Sequence, residues 1–382
     1  METVKGFKDF VGEEAIKRQR IKNILIKCFS LYGFEPVETP VIEYEKFVKG
    51  DNAQDEAVSD IFKLKDRGKR NLALRYEFTF QLKRLSKNKK LPYKRFSIGE
   101  VFRDEPISSN RFRQFTQCDI DTIGSSIKDD AEILTLVSKI LNELNIKYVI
   151  NVNNRKLLNE ILDSEGIKNK EGVLREIDKL DKLSELEVKK NLKNIKAEKI
   201  LKIFKEKESY FKKYKSYEEI KTLKKYCKYY GIKINFQPSL ARGLSYYTGN
   251  VFEVKTKEFR ETISAGGSYL VNGIQSTGIS FGLERLSKLV KLDSKNKNIL
   301  VVGLCEDSKV INLVEKLRNK NIACNLMFGK LSKALQFANS KEISYVLIIG
   351  EKELSSGKFT LKNMKTGKEN KISFDKLIKN FS

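Results

Sequence analysis

Between about residues 154 and 230 glycine and proline nearly vanish and helix formers dominate, as in DKLDKLSELEVKKNLKNIKAEKILKIFKEKES. Such a stretch has little material for tight turns, so it reads as a small helical module. It divides the chain. Before it come an amphipathic helix over 13–33 ending at Gly33 and an extended FEPVETPVIE (34–43) fixed by Pro36 and Pro40. Two strands about a Gly68 turn follow in IFKLKDRGKRNLALRYE (61–77), then strand-like RFSIGEVFRDE (95–105) and FTQCDIDTIG (115–124), then a helix over 129–145. Strand texture resumes at 232, and KLDSKNKN (291–298) is a polar linker. Beyond it strand and helix alternate: NILVVGL, DSKVINLVEKLRNKN, IACNLMF, KLSKALQFANSKE, YVLIIG, with FTLKN and ENKISF closing the sheet and DKLIKNF last. The pattern predicts an α+β domain around an antiparallel sheet, divided into 1–153 and 231–290 by a helical insertion at 154–230. A small, mostly parallel α/β domain fills 298–382 and has no Gly-rich phosphate loop.

Composition narrows the chemistry. No run of about 18 apolar residues exists, so no membrane span is expected. METVKGFKDF is charged at once and lacks the apolar core of a signal peptide. The five cysteines are scattered without a CxxC pair, which fits a reducing cytoplasm and argues against a zinc site. Histidine is absent, so triads, imidazole bases and histidine metal ligands are excluded. The net charge of +25 favours a polyanionic partner, nucleic acid first, although an A/T-rich genome yields the same Lys, Ile and Asn abundance. In 181–226, 15 lysines stand against 8 acids, which suits either a solvated helical surface or a phosphate backbone.

Four segments concentrate the remaining reactive residue types. LRYEFTFQLKR (74–84) carries Glu77 and Thr79, two apart and on one face if the chain is extended. GEVFRDEPISSNRFRQFTQCDIDTIG (99–124) carries Arg103, Glu105, Arg111, Arg113, Gln117, Asp119 and Asp121. ARGLSYYTGNVFEV (241–254) carries Arg242, Tyr246 and Tyr247, and STGISFGLERLSKL (276–289) runs from a glycine-marked strand into a helix with Glu284 and Arg285. Several arginines around one sheet suggest a triphosphate site without a P-loop, because the guanidinium fork suits phosphate and carboxylate.

Together these segments resemble the histidyl-tRNA synthetase family of class II aminoacyl-tRNA synthetases over nearly the whole chain. VKGFKDF resembles its N-terminal signature, FEPVETPVIE motif 1, GEVFRDE with RFRQFTQCDID motif 2, ARGLSYYTG the histidine-specific signature, and STGISFGLERL motif 3. QCDID and EIDKLDKLSELEV are similar to the archaeal and eukaryotic branch, and LSKALQFANSKEISYVLIIGEKELSSGKFTLKNMKTGK resembles the anticodon-binding domain. The resemblance implies a cytoplasmic homodimeric ligase with a class II catalytic domain, in which motif 1 builds the dimer interface. It would join L-histidine to its tRNA through histidyl-adenylate, with ATP as substrate and Mg²⁺ bridging the phosphates.

The resemblance also implies roles. Arg103 would hold the α-phosphate and Arg242 would approach it and the substrate carboxylate from the other side, the two catalytic arginines. Glu105 would accept from the adenine amine, Phe115 would stack on the ring, and Arg111 and Arg285 would grip the γ-phosphate. Glu77, Thr79 and Gln117 would bind the α-ammonium group, since a carboxylate, a hydroxyl and an amide oxygen suit three N–H donors. Asp121 and Tyr247 would meet the imidazole, Tyr246 would help line the pocket, and Asp119 would support the fold.

The sequence departs from the family in places. Ser245 stands where Asp is usual, Tyr76 and Phe78 flank Glu77 where Pro and Gly or Met are usual, and Ser268 and Leu270 replace the Arg and Asp of the second histidine motif, GGGRYDGL. Two other readings use the same residues. One is a histidine-sensing paralogue such as the regulatory subunit of ATP phosphoribosyltransferase, which typically lacks the RGLxYY arginine context and the anticodon domain. The other is an RNA-binding or sensor module without aminoacylation.

Overall fold

A computed structural model describes residues 1–50, 56–108, 111–181, 183–241, 246–258, 262–291 and 299–381. The chain forms two compact units, Met1–Lys291 and Leu292–Ser382.

The first unit is organised by a sheet. Its strands in chain order are β1 (Glu35–Pro36), β2 (Ile42–Tyr44), β3 (Lys63–Lys65), β4 (Asn71–Leu74), β5 (Tyr93–Phe102), β6 (Gln114–Ile123), β7 (Val149–Asn154), β8 (Asn235–Phe236), β9 (Tyr247–Lys255), β10 (Ser264–Val271) and β11 (Ile274–Gly282). Among the described residues, eight of these make one sheet in the order β1-β5-β6-β11-β10-β9-β7-β8, and β2, β4 and β3 make a separate small one. Pairing in the large sheet is antiparallel except at its two ends, where β1 joins β5 and β8 joins β7 in parallel. The long β5–β6 hairpin and the β10–β11 hairpin place motifs 2 and 3 side by side.

Helices cover one face. Gly12–Leu31 buries Ile21, Leu25, Cys28 and Phe29, an i, i+4, i+7, i+8 stripe. Ile127–Glu143 starts at a capping box between Ser126 and Asp129 and buries Ala131, Leu134 and Val137 among others. The Gly/Pro-poor region is helical from Arg155–Ser164 to Tyr217–Tyr229. Its first helix is capped by Asn154, whose side chain accepts from the Lys156 and Leu157 amides at 2.8 and 3.2 Å.

The second unit carries β12 (Ile299–Gly303), β13 (Cys324–Phe328), β14 (Tyr345–Ile349), β15 (Lys358–Asn363) and β16 (Glu369–Ser373), in the order β13-β12-β14-β15-β16. β12 pairs in parallel with β13 and β14, but β14–β15 and β15–β16 are antiparallel. The expected mostly parallel sheet is therefore half antiparallel. The cause is connection length: the short linkers after β14 and β15 return the chain directly and leave no room for a crossover. Ile299, Val301, Val310, Val314, Leu347 and Leu377 form the centre of its own core.

Candidate active site

The site lies on one face of β6. Successive side chains on a strand alternate, so Phe115, Gln117, Asp119, Asp121 and Ile123 share a side while Thr116, Cys118 and Ile120 turn to the helices. From Phe115 to Asp121 the row is about 20 Å long at strand rise. Its neighbours across the ladder are small. Gln117 lies between Gly99 and Gly282, Asp119 between Ser97 and Ser280, and Asp121 between Arg95 and Gly278. The result is a trough with polar groups on its floor. A Cβ on Gly278 would stand 2.1 Å from Asp121 Oδ1, so only glycine leaves that carboxylate its place. Gly267 does the same for Tyr247, whose ring lies 2.9 Å from where a Cβ would be.

Glu77 enters from the opposite wall. The segment 75–79 does not continue β4 as an extended strand; it runs in bends. Two arginines hold those bends: Arg103 Nε donates to the Tyr76 carbonyl at 3.1 Å and Arg95 Nη2 to the Phe78 carbonyl at 3.2 Å. The carbonyls on both sides of Glu77 are thus fixed, and its carboxylate is buried within electrostatic reach of Arg103, Asp119 and Asp121. Thr79, partly buried, follows in the same segment.

Burial dominates the titration of this cluster. It raises Glu77 to about 7 against the pull of Arg103, and Asp119 to about 7 against the pull of Arg95. Asp121 is also raised by burial and opposed by Arg95. Ser280 donates to Asp119 Oδ1, and the Tyr269 hydroxyl donates to Asp121 Oδ1 while Arg95 Nη2 sits 2.5 Å from Asp121 Oδ2. Gln117 Oε1 is buried and has no hydrogen-bond partner among the described residues. An orphan acceptor beside carboxylates is a place prepared for an N–H donor.

At the other end of the row, the Arg103 guanidinium lies 5.2 Å from the centre of the Phe115 ring, and Glu105 approaches both Arg103 (3.7 Å) and Arg111 (3.5 Å). Arg285 Nη1 donates to the Thr262 carbonyl at 2.5 Å. Tyr246, Tyr247 and Tyr269 pack as an aromatic cluster, with ring centroids 4.7 to 6.5 Å apart. Tyr269 is the phenol that donates to Asp121, a pairing that the β6–β11–β10 register sets. Arg242 and Ser245 lie outside the described residues. The sequence pattern gives no sign of Arg95 and marks Tyr269 only as the residue between the two substituted positions of the second histidine motif. Arg95 reads there as the first residue of a strand, but β5 begins at Tyr93 and carries Arg95 to full burial opposite Asp121.

The altered second histidine motif has a clear geometry. Ser268 turns to the helix side, where its hydroxyl donates to Asp130 at 3.1 Å, and Leu270 is exposed. Tyr269 between them keeps the trough side. The two substituted positions therefore face away from Asp121 and its partners.

A histidyl-tRNA synthetase family model matches residues 6–286, and an anticodon-binding domain model matches 296–382. The chain belongs to the histidyl-tRNA synthetase family. Histidine–tRNA ligase 1 of Bacillus cereus is 35% identical over 100% of this chain and 97% of its own length. A histidyl-tRNA synthetase from Nostoc sp. PCC 7120 superposes with a TM-score of 0.86 at 25% identity, covering 100% of this chain and 98% of that one. An ATP phosphoribosyltransferase regulatory subunit/histidyl-tRNA synthetase from Bacillus halodurans shares the fold at a TM-score of 0.76 and 20% identity, over 88% of this chain and 96% of its own. These relatives are bacterial. No helix among the described residues is long and apolar enough to cross a membrane.

Proposed function

We propose that this chain activates L-histidine with ATP and transfers it to the 3′-terminal adenosine of its tRNA. The observation that carries the reading is the single β6 face on which an orphan amide oxygen, Gln117 Oε1, lies in one row with Asp119 and Asp121. Glu77, Thr79 and Gln117 receive the α-ammonium group. Asp121 accepts from the imidazole, with Tyr246 and Tyr247 walling the pocket. Phe115 and Glu105 take the adenine, Arg103 and Arg242 the α-phosphate, and Arg111 and Arg285 the γ-phosphate.

Adenylation needs no general base, which suits a chain without histidine. The substrate carboxylate, already ionised, attacks the α-phosphorus, and pyrophosphate leaves. The protein supplies alignment and positive charge where charge builds at phosphorus. Among the described residues no group of three or more acidic, cysteine or histidine side chains could hold a metal ion. Mg²⁺ held mainly by nucleotide phosphates and water fits such a site, and it would neutralise phosphate charge.

A homodimer belongs to the same reading. Val41 and Ile42 of the motif 1 segment and Tyr44 just after it are exposed, as a partner-covered edge requires. The five free cysteines suit a cytoplasmic enzyme. The test is ATP–pyrophosphate exchange with purified protein and each amino acid in turn. Exchange with histidine alone is expected; exchange with none, in a folded protein that binds histidine, would move the assignment to a sensor.

A further inference from the structure

We propose that Arg95 is a positioning residue for histidine selection: its buried guanidinium ties Asp121 to the bend carrying Glu77 and Thr79 and keeps that carboxylate an ionised acceptor for the imidazole. The inference rests on the function proposed above and adds a residue to which neither the motifs nor the resemblance gives a role.

Arg95 is fully buried, 0% exposed, among the largest side chains so enclosed. A cation in that position is costly unless its partners use it. It has two, and they belong to the two ends of the amino-acid pocket: Asp121 at 2.5 Å and the Phe78 carbonyl at 3.2 Å. Nε and Nη1 have no hydrogen-bond partner among the described residues, so the fork is not there to satisfy a saturated core network. The titratable groups coupled to Asp121 come from four parts of the chain. From β5 comes Arg95; from β6, Asp119; from β10, Tyr269; from the bend, Glu77 at longer range. Burial opposes ionisation of Asp121, and Arg95 first, then the Tyr269 hydroxyl, offset it; Asp121 in turn raises its acid neighbours Asp119 and Glu77. A protonated Asp121 would turn one oxygen into an O–H donor and lose the charge that strengthens its acceptance from the ring N–H.

The test compares wild type, R95M, D121N and R95M/D121N by histidine-dependent pyrophosphate exchange and by equilibrium binding of radiolabelled histidine. At pH 7, R95M should raise the histidine KM about 100-fold with the ATP KM little changed. The penalty should shrink as pH rises and Asp121 regains its charge. R95M/D121N should be no worse than D121N, because Arg95 acts through Asp121. Additive losses, or equal rises in both KM values at every pH, overturn the proposal. If R95M does not fold, the double variant, which removes both buried charges, and R95K decide. R95K keeps the charge but not the planar guanidinium whose Nη2 makes both contacts, and should raise the histidine KM about tenfold; a wild-type KM overturns the idea. Loss of exchange in wild type with the binding pattern intact would fault the proposed function and leave Arg95 standing.

Discussion

At the residue scale, the candidate site is a small group of buried acids whose charge is poorly solvated. Glu77 is the clearest case. Its carboxyl titrates at about 7 in the folded protein and near 4.5 when free. Between those values the native state binds more protons than the unfolded chain, so this group lowers stability as pH rises from 4.5 toward 7. The full effect is about 3 kcal/mol. Glu77→Gln should therefore gain on wild type as pH rises, and urea unfolding at pH 5 and pH 8 measures the gap. Parallel behaviour of the two proteins would rule out the burial explanation. Much of the cluster was legible in sequence because alternation in QCDID puts Gln117, Asp119 and Asp121 on one face. What was not legible came from distant residues. The bends at 75–79 are held by arginines 27 and 17 positions away from the carbonyls they hold. Asp119, expected to support the fold, shares the trough with Gln117 and Asp121 because its row is set by ladder register.

At the element scale, one buried knot joins three pieces of chain. Glu284, at the start of the helix Leu283–Leu289, accepts from the Thr116 amide with both oxygens, at 3.1 and 3.2 Å, and pairs with Arg18 at 2.9 Å. Arg18 also donates to the Thr116 hydroxyl at 2.8 Å and lies over the Phe10 ring. The helix Gly12–Leu31, the strand of motif 2 and the helix of motif 3 are thereby fixed to one another. Arg18→Met strands a buried carboxylate and should cost about 3–5 kcal/mol. Arg18→Met/Glu284→Leu should recover much of it, as read from urea midpoints; a single variant as stable as wild type would mean that the knot is slack. The long elements were legible because hydrophobic period marks them. Short ones were not: Glu351–Ser356, between Gly350 and Gly357, has no reading in the sequence pattern and forms because Glu353 returns to bond the Gly350 amide at 3.2 Å. The antiparallel half of the second sheet was equally hidden, since strand direction follows connection length rather than strand sequence.

At the scale of the whole molecule, charge matters most. A net +25 makes tRNA association a counterion-release process. Raising salt from about 50 to 200 mM should weaken tRNA binding by at least about 100-fold. The histidine KM, which the proposed site sets inside a buried trough, should move far less. Filter binding and exchange kinetics across one salt series separate the two, and equal salt dependence would mean that the amino-acid site feels the surface field. The proposed imidazole pocket has one more consequence. Its walls are acids, an arginine and phenols, in a protein with no histidine anywhere. In an untagged sample, the substrate would contribute the one imidazole in the complex. Isotope-labelled histidine would then give ring resonances against an empty background, and its tautomer and protonation state could be followed through adenylation without assigning a single protein signal.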